Sequence, residues 1–203
     1  ARGDVRLGEI STARPKGKFV KDPGRLVLMP AAARRDRQLM VARLAKIKEA
    51  VNDLPYNKLT ESKNAKLGII TSGISYSYAI EAIKWLNLED KVSLLKIGTP
   101  YPLPERLIKS LLASVPTVLV VEELEPIVET HVKALAHDNG LRVEIHGKDV
   151  LALIVQLSTR KVTEALMKLT GAPAPIDFAA IDSLVKETAP LLPVRPPTFC
   201  AGC

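Results

Sequence analysis

Between residues 65 and 147 the chain repeats one pattern: a short aliphatic run, a polar turn, then an amphipathic stretch of helical period. The four runs are Leu67–Thr71, Val92–Ile97, Thr117–Val121 and Leu141–Ile145. They read as continuous apolar segments rather than alternating ones, which fits strands buried on both faces. Between them, Tyr76, Ile80 and Ile83 mark the inner face of a helix from Tyr76 to Leu86. Pro104 suits the first turn of a helix running to Ala113. Val128, Val132 and Leu135 mark a third helix, from Pro126 to a stop at Asn139–Gly140. Strand and helix in regular alternation imply long crossovers and hence parallel pairing. The expected fold class is therefore α/β, a mostly parallel sheet with helices on both faces. With hydrophobic residues at 47% but aromatics at only 4%, its core must be aliphatic.

The flanks follow a different grammar. Residues 1–32 carry no sustained helical pattern; Asp22–Pro23–Gly24 reads as a tight turn between extended pieces at Phe19–Val20 and Leu26–Met29. A long helix is expected over Ala33–Val51, with Met40, Leu44, Ile47 and Val51 as its apolar stripe. Asn52, Asp53 and Pro55 end it, and polar Asn57–Asn64 reads as a linker. After Gly147, Val150–Leu157 fits a strand or a short helix, and periodicity does not decide between them. Ser158 or Thr159 caps a helix from Lys161 to Leu169, stopped at Gly171. Prolines dominate the remainder, with one short helix around Phe178–Lys186.

The formal charge is +7, but Arg34, Arg35, Arg37, Arg43, Lys46 and Lys48 crowd one helix without interleaved aromatic platforms. That arrangement favours a solvated or interdomain face over a nucleic-acid site. No apolar stretch reaches membrane-spanning length, and the start lacks a secretory pattern. Both cysteines lie in the last four residues, so no disulfide framework holds the fold, which suits a cytoplasmic location.

Ligand-facing groups of such a sheet collect beyond the carboxyl ends of its strands. Thr71-Ser-Gly-Ile-Ser75 offers hydroxyls and backbone N–H groups that could hold an anion; a tight strand-to-helix turn explains Gly73 equally well. Glu122, Glu123 and Glu125 could bind a cation, share a proton or pair with a neighbouring domain. Alternatively, Glu125 favours the helix start while the others are solvated. His131, His137 and His146 read as packed or exposed side chains rather than catalytic bases. Cys200-Ala-Gly-Cys203 supplies half of a four-ligand metal or cluster site, or a redox dithiol.

Several segments together carry a family resemblance. They are Leu67-Gly-Ile-Ile-Thr-Ser-Gly73, Leu95-Lys-Ile-Gly-Thr-Pro-Tyr-Pro-Leu-Pro104, Val120-Val-Glu-Glu-Leu-Glu-Pro126, Ile145-His-Gly-Lys148 and Arg195-Pro-Pro-Thr-Phe-Cys-Ala-Gly-Cys203. In order and along nearly the whole chain, they resemble the alpha subunits of the indolepyruvate:ferredoxin oxidoreductase family. Those subunits belong to the thiamine-pyrophosphate-dependent 2-oxoacid:ferredoxin oxidoreductases.

The resemblance implies an internal fragment of a longer protein. Residues 1–32 would be the tail of a pyrimidine-binding domain, and residues 33–60 a connecting helix and linker. Residues 61–170 would form a transketolase-C-terminal-like domain, followed by a proline-rich connector over 171–194. Residues 195–203 would begin the thiamine-pyrophosphate-binding domain. Implied for the parent protein are thiamine pyrophosphate, Mg²⁺ and 4Fe–4S clusters. It would decarboxylate arylpyruvates oxidatively with coenzyme A and pass electrons to ferredoxin, together with the rest of the alpha subunit and a smaller beta subunit. Cys200 and Cys203 would be cluster ligands or the rim of the thiamine pocket, and Glu122, Glu123 and Glu125 interdomain contacts. The family's Gly-Asp-Gly magnesium motif and ferredoxin-like cysteine series do not occur in this sequence, so no complete cofactor site is expected. The competing expectation is a free-standing α/β module that binds a small ligand or another protein.

Overall fold

A computed structural model describes residues 8–9, 17–27, 29–154 and 156–193. The chain divides into two compact units, Ala1–Arg43 and Leu44–Cys203.

In the first unit, Asp22, Pro23 and Gly24 open a single helical turn, α1 (Pro23–Leu26), where a tight turn followed by extended chain was expected. The Asp22 carboxylate accepts the Arg25 N–H at 3.2 Å, and the φ of proline serves a helix start as readily as a turn. The long helix α2 (Pro30–Ala50), whose residues from Leu44 on belong to the second unit, begins three residues before the expected Ala33, again at a proline. None of its residues is buried. Met40 and Ile47, expected in a packed stripe, are 42% and 41% exposed, and only Val51, in the 3₁₀ turn Val51–Asp53, is buried.

The second unit contains the sheet. Its elements are β1 (Lys58–Thr60), β2 (Leu67–Ser72), α3 (Ser75–Trp85), β3 (Val92–Ile97) and α4 (Glu105–Ser114). They continue as β4 (Thr117–Val121), α5 (Ile127–Asp138), β5 (Glu144–His146), α6 (Thr159–Thr170) and α7 (Phe178–Thr188). The strand order is β1-β3-β2-β4-β5. β2 pairs in parallel with β3 and β4, and β4 with β5, as the aliphatic runs required. β1 is antiparallel to β3, with Leu59 opposite Leu95. This edge strand lies in the stretch expected to be a linker. Only Leu59 of its three residues is partly buried, so the edge offers no apolar run to read.

Successive residues of β2 point to opposite faces and divide the core. Leu67 and Ile69, with Leu119 and Val121 of β4, pack under α3 and α6. Ile70, with Leu95, Ile97, Val118 and Val120, packs under α4 and α5. Helices thus cover both faces. The buried side of α3 is Ser75, Ala79, Ala82 and Ile83, whereas Tyr76 and Ile80 are only half-buried. Small residues at Ala79, Ala82 and Ala165 let α3 and α6 lie close together.

β5 starts three residues later than the expected Leu141. Its chain first spends residues closing α5, with the Leu141 N–H bonded to the Ala136 carbonyl at 2.9 Å. The described residues of the undecided stretch, 150–154 and 156–157, are neither strand nor helix but irregular chain, with Leu151 and Leu157 buried; Val155 lies outside the described residues. The Ser158 hydroxyl then caps α6 by accepting the Lys161 N–H at 3.4 Å. Gly171 ends α6 at φ +70°, a conformation a Cβ would disfavour. Among the described residues, no helix is long and apolar enough to cross a membrane.

Candidate functional site

The strand order puts a switch point between β2 and β4: the chain leaves β2 on one side to form β3, then crosses back to β4 on the other. Crevices beside such points are where parallel sheets hold ligands. Here the carboxyl ends of β4 and β5 carry a dense polar network.

Glu122 follows β4 and is buried. Its two carboxylate oxygens accept the N–H groups of Val128 (2.9 Å) and Glu129 (2.8 Å). These amides belong to the first turn of α5, whose own carbonyls cannot reach them. A negative charge is favourable at this end of the helix dipole. Pro126 occupies the cap position of α5 and offers no side-chain acceptor, so Glu122 takes the role from four residues upstream. Lys148 ties in the next strand end by donating its ammonium to the Glu122 backbone carbonyl.

Glu129, also buried, extends the network. One of its oxygens accepts from the Lys133 ammonium at 2.6 Å and the other from the Lys148 N–H at 2.9 Å. Gly147 makes this approach possible, because a Cβ there would stand 2.1 Å from the Glu129 Oε2. The His146 ring sits between two carboxylates, with Nδ1 2.6 Å from Asp149 and Nε2 3.2 Å from Glu144. Burial pushes the Asp149 carboxyl up. The Gly147 N–H (2.6 Å) and His146 outweigh that and hold it below the usual aspartate range.

The three glutamates expected to act together are therefore unlike one another. Glu122 caps a helix. Glu123 accepts the Leu157 N–H at 3.1 Å and secures the irregular chain before α6. Glu125 is exposed. Between them Leu124 holds a left-handed φ of +51° with its side chain 59% exposed, a strained turn for a bulky residue. Among the described residues, no three His, Cys, Asp or Glu side chains gather to hold a metal ion. The buried carboxylates already have protein donors, so these residues do not fit a resident metal or diphosphate site. Cys200 and Cys203 lie outside the described residues.

At the end of β2, Gly73 takes the expected turn with φ +56°. The Thr71 hydroxyl is buried, with no hydrogen-bond partner among the described residues. His131 is exposed with Nδ1 2.9 Å from the Ile127 carbonyl, and His137 is exposed beside Asp138. Asn57 was missed by sequence reasoning. Its buried amide donates to the Val51 carbonyl and the Thr99 hydroxyl, and accepts from the N–H groups of Gly98 and Thr99. It thereby fixes the loop after β3. Its partners lie up to 42 residues away, and no local pattern announces them. Glu129 was likewise hidden, reading as one more polar position on a helix.

An apolar groove of about 570 Å³ runs beside this loop, with Pro102, Leu103, Ile108, Val128 and Leu135 among its walls. Lys48 and Glu105 pair beside it at 2.7 Å.

The family described as "Indolepyruvate oxidoreductase domain" matches residues 57–187, from the edge strand through nearly all of α7. The chain is 45% identical over 208 residues to the indolepyruvate oxidoreductase subunit IorA of Thermococcus kodakarensis, covering 100% of this chain and 32% of that protein. It is 41% identical over 207 residues to the same-named subunit of Pyrococcus abyssi, with the same coverage. The chain thus spans about a third of the length of the curated relatives it matches. Among solved structures it is similar to a 2-oxoglutarate:ferredoxin oxidoreductase from Magnetococcus marinus, with TM-score 0.48 and 16% identity over 69% of this chain and 23% of that one. That likeness is too remote to carry weight. On the family match over residues 57–187 and the identity along the whole of this chain, the chain belongs to the indolepyruvate oxidoreductase domain family.

Proposed function

We propose that this chain is part of an oxidoreductase that decarboxylates indolepyruvate and other arylpyruvates oxidatively, forming aryl-acetyl-CoA and passing electrons to ferredoxin. The observation that carries the proposal is identity of 45% and 41%, along the whole chain, to subunits named indolepyruvate oxidoreductase. Within that enzyme the module is a scaffold and an interface. Its polar groups at the strand ends are engaged in holding α5, the β5 end and the irregular chain before α6. A group fully occupied as a helix cap or strand tie is poorly placed to exchange protons with a substrate.

The cofactors of this reading are thiamine pyrophosphate with Mg²⁺ and 4Fe–4S clusters, which supply the carbanion and electron-transfer chemistry when bound. They belong to other parts of the assembly, with Cys200 and Cys203 as cluster ligands or the rim of the thiamine pocket. The partners are the remainder of the alpha subunit, a smaller beta subunit and ferredoxin, in the cytoplasm. Residues 1–32 are the end of a pyrimidine-binding domain, 33–60 its connecting helix and linker, 61–170 the central domain, 171–194 a proline-rich connector, and 195–203 the start of the pyrophosphate-binding domain. Exposed Glu125, with Glu123 beside it, faces the neighbouring domain; Glu122 contributes indirectly by fixing the turn that presents them.

The test is turnover by the longer polypeptide with its partner subunit, coenzyme A and ferredoxin, comparing indolepyruvate, phenylpyruvate and pyruvate. Preference for the two aryl substrates is expected. A preference for pyruvate, or reaction independent of coenzyme A, would sink the substrate assignment. Turnover by the 203-residue chain alone would sink the scaffold role.

A further inference from the structure

The helix α7 forms without a core of its own. None of its residues is buried, yet one side is apolar. At 3.6 residues per turn, Phe178, Ile181, Leu184 and Val185 fall within an arc of ~120°. Ile181, Leu184 and Val185 are 41%, 60% and 56% exposed, and Leu191 and Leu192 just beyond are 80% and 66% exposed. The attachment to the rest of the unit is polar. Arg160 donates to both oxygens of Asp182 (2.6 and 2.8 Å), and its guanidinium lies 4.8 Å from the Phe178 ring. Asp182 is ~40° around the helix from Phe178 but ~100° from Ile181 and ~160° from Leu184, so the anchor holds the Phe178 edge of the stripe and leaves Ile181 and Leu184 clear of it.

Eleven residues fall short of the roughly 12–15 at which an isolated helix becomes even marginally stable in water. Exposed ion pairs add little. A helix of this length gains most of its stability by laying an apolar face on another surface, and among the described residues nothing buries this one.

We propose that the apolar stripe of α7 is a docking face for a further domain of the same, longer polypeptide. This rests on the reading of the chain as an interface module within an oxidoreductase subunit. The family match reaches residue 187, so the helix belongs to the shared domain. This chain accounts for 32% of the relatives' length, which leaves most of their polypeptide to supply the opposing surface. A domain joined through a short connector meets the stripe at an effective concentration of order mM. A separate subunit or a second copy reaches that only at far higher protein concentration. The matching surface is apolar, since the charged Lys186 and Glu187 lie ~80° and ~60° beyond the two edges of the stripe.

Hydrogen exchange at the α7 amides tests this in the 203-residue chain, in the longer polypeptide alone, and with the partner subunit added. Exchange should be nearly unprotected in the short chain. It should slow by at least about tenfold in the longer polypeptide alone, independent of concentration. The double substitution Leu184→Gln with Val185→Gln should leave the melting midpoint of the short chain unchanged while abolishing that protection. Protection that appears only with the partner subunit, only at high concentration, or never would overturn the proposal, as would unfolding of the short chain by the substitutions. Arylpyruvate turnover on the same wild-type preparation separates the two readings. Turnover without protection removes only the docking face; protection without turnover removes only the assigned activity.

Discussion

Replacing Glu122 with alanine removes the acceptor of two buried N–H groups, those of Val128 and Glu129 at 2.9 and 2.8 Å. Each is a bond to a charged group, worth about 1.5–3 kcal/mol when the partner is left unsatisfied. Helix-cap replacements as a class cost about 0.5–2 kcal/mol. Partial access of water to the vacated site puts the expected loss at about 3 kcal/mol, between a simple cap and the full sum of two bonds. For a unit of this size that corresponds to a fall in Tm of about 6–12 °C. Glu122→Gln keeps the shape and one acceptor oxygen and should lose about half as much. Glu125→Ala, at an exposed position three residues on, should stay within about 0.5 kcal/mol of the parent. Urea unfolding at neutral pH with unchanged m-value measures all three, and hydrogen exchange at Val128 and Glu129 localises the effect. Equal stabilities for Glu122→Ala and Glu125→Ala would refute the assignment of Glu122 as the cap of α5.

Gly147→Ala would place a Cβ 2.1 Å from a Glu129 oxygen that is held by Lys148 and lies on a buried side chain. A loss of about 2 kcal/mol is expected. It should shrink by more than half in a Glu129→Ala background, where the obstructing group is gone; a double-mutant cycle in urea reads the coupling, and additive losses would exclude it. Asp149 has its folded-state pKa held below the ordinary 3.8. The unfolded chain therefore takes up the proton first on acidification. The stabilisation is fully present above the ordinary value and is lost as pH falls through the folded one. Asp149→Asn should lower Tm at neutral pH and flatten the acid limb, with the two curves converging at the acid end. Parallel curves throughout would show that Asp149 contributes no pH-dependent stability.

The alternation of aliphatic runs and amphipathic stretches was legible because it has a local cause: a strand buried on both faces cannot afford polar positions, and a crossover helix needs apolar residues every three or four. Val92–Ile97 and Thr117–Val121 were read to the residue, and the stop at Gly171 followed from one glycine. β1 was not legible, because an edge strand of three residues needs only Leu59 to face the core. The face of α3 was legible only in part: Ile83 is buried as expected, and the rest was missed for a related reason. Burial there goes to alanines, chosen for close approach of α6, while larger Tyr76 and Ile80 sit at the margin.

At the site, residue types could be named from their position after β4 and β5, but their partners could not. Glu122, Glu123 and Glu125 look alike in a string of letters. What separates them is which backbone amides lie within 3.2 Å: two on α5 for Glu122, one before α6 for Glu123. Those amides are fixed by helix placement on the sheet, which depends on the packing of both cores at once. By itself the sequence determined the α/β class, the parallel pairing and the family, since these rest on local periodicity and on motifs in order. The tertiary structure alone decided the strand order, the edge strand and the separate tasks of the three glutamates. These depend on contacts between residues far apart in the chain, which no local pattern encodes.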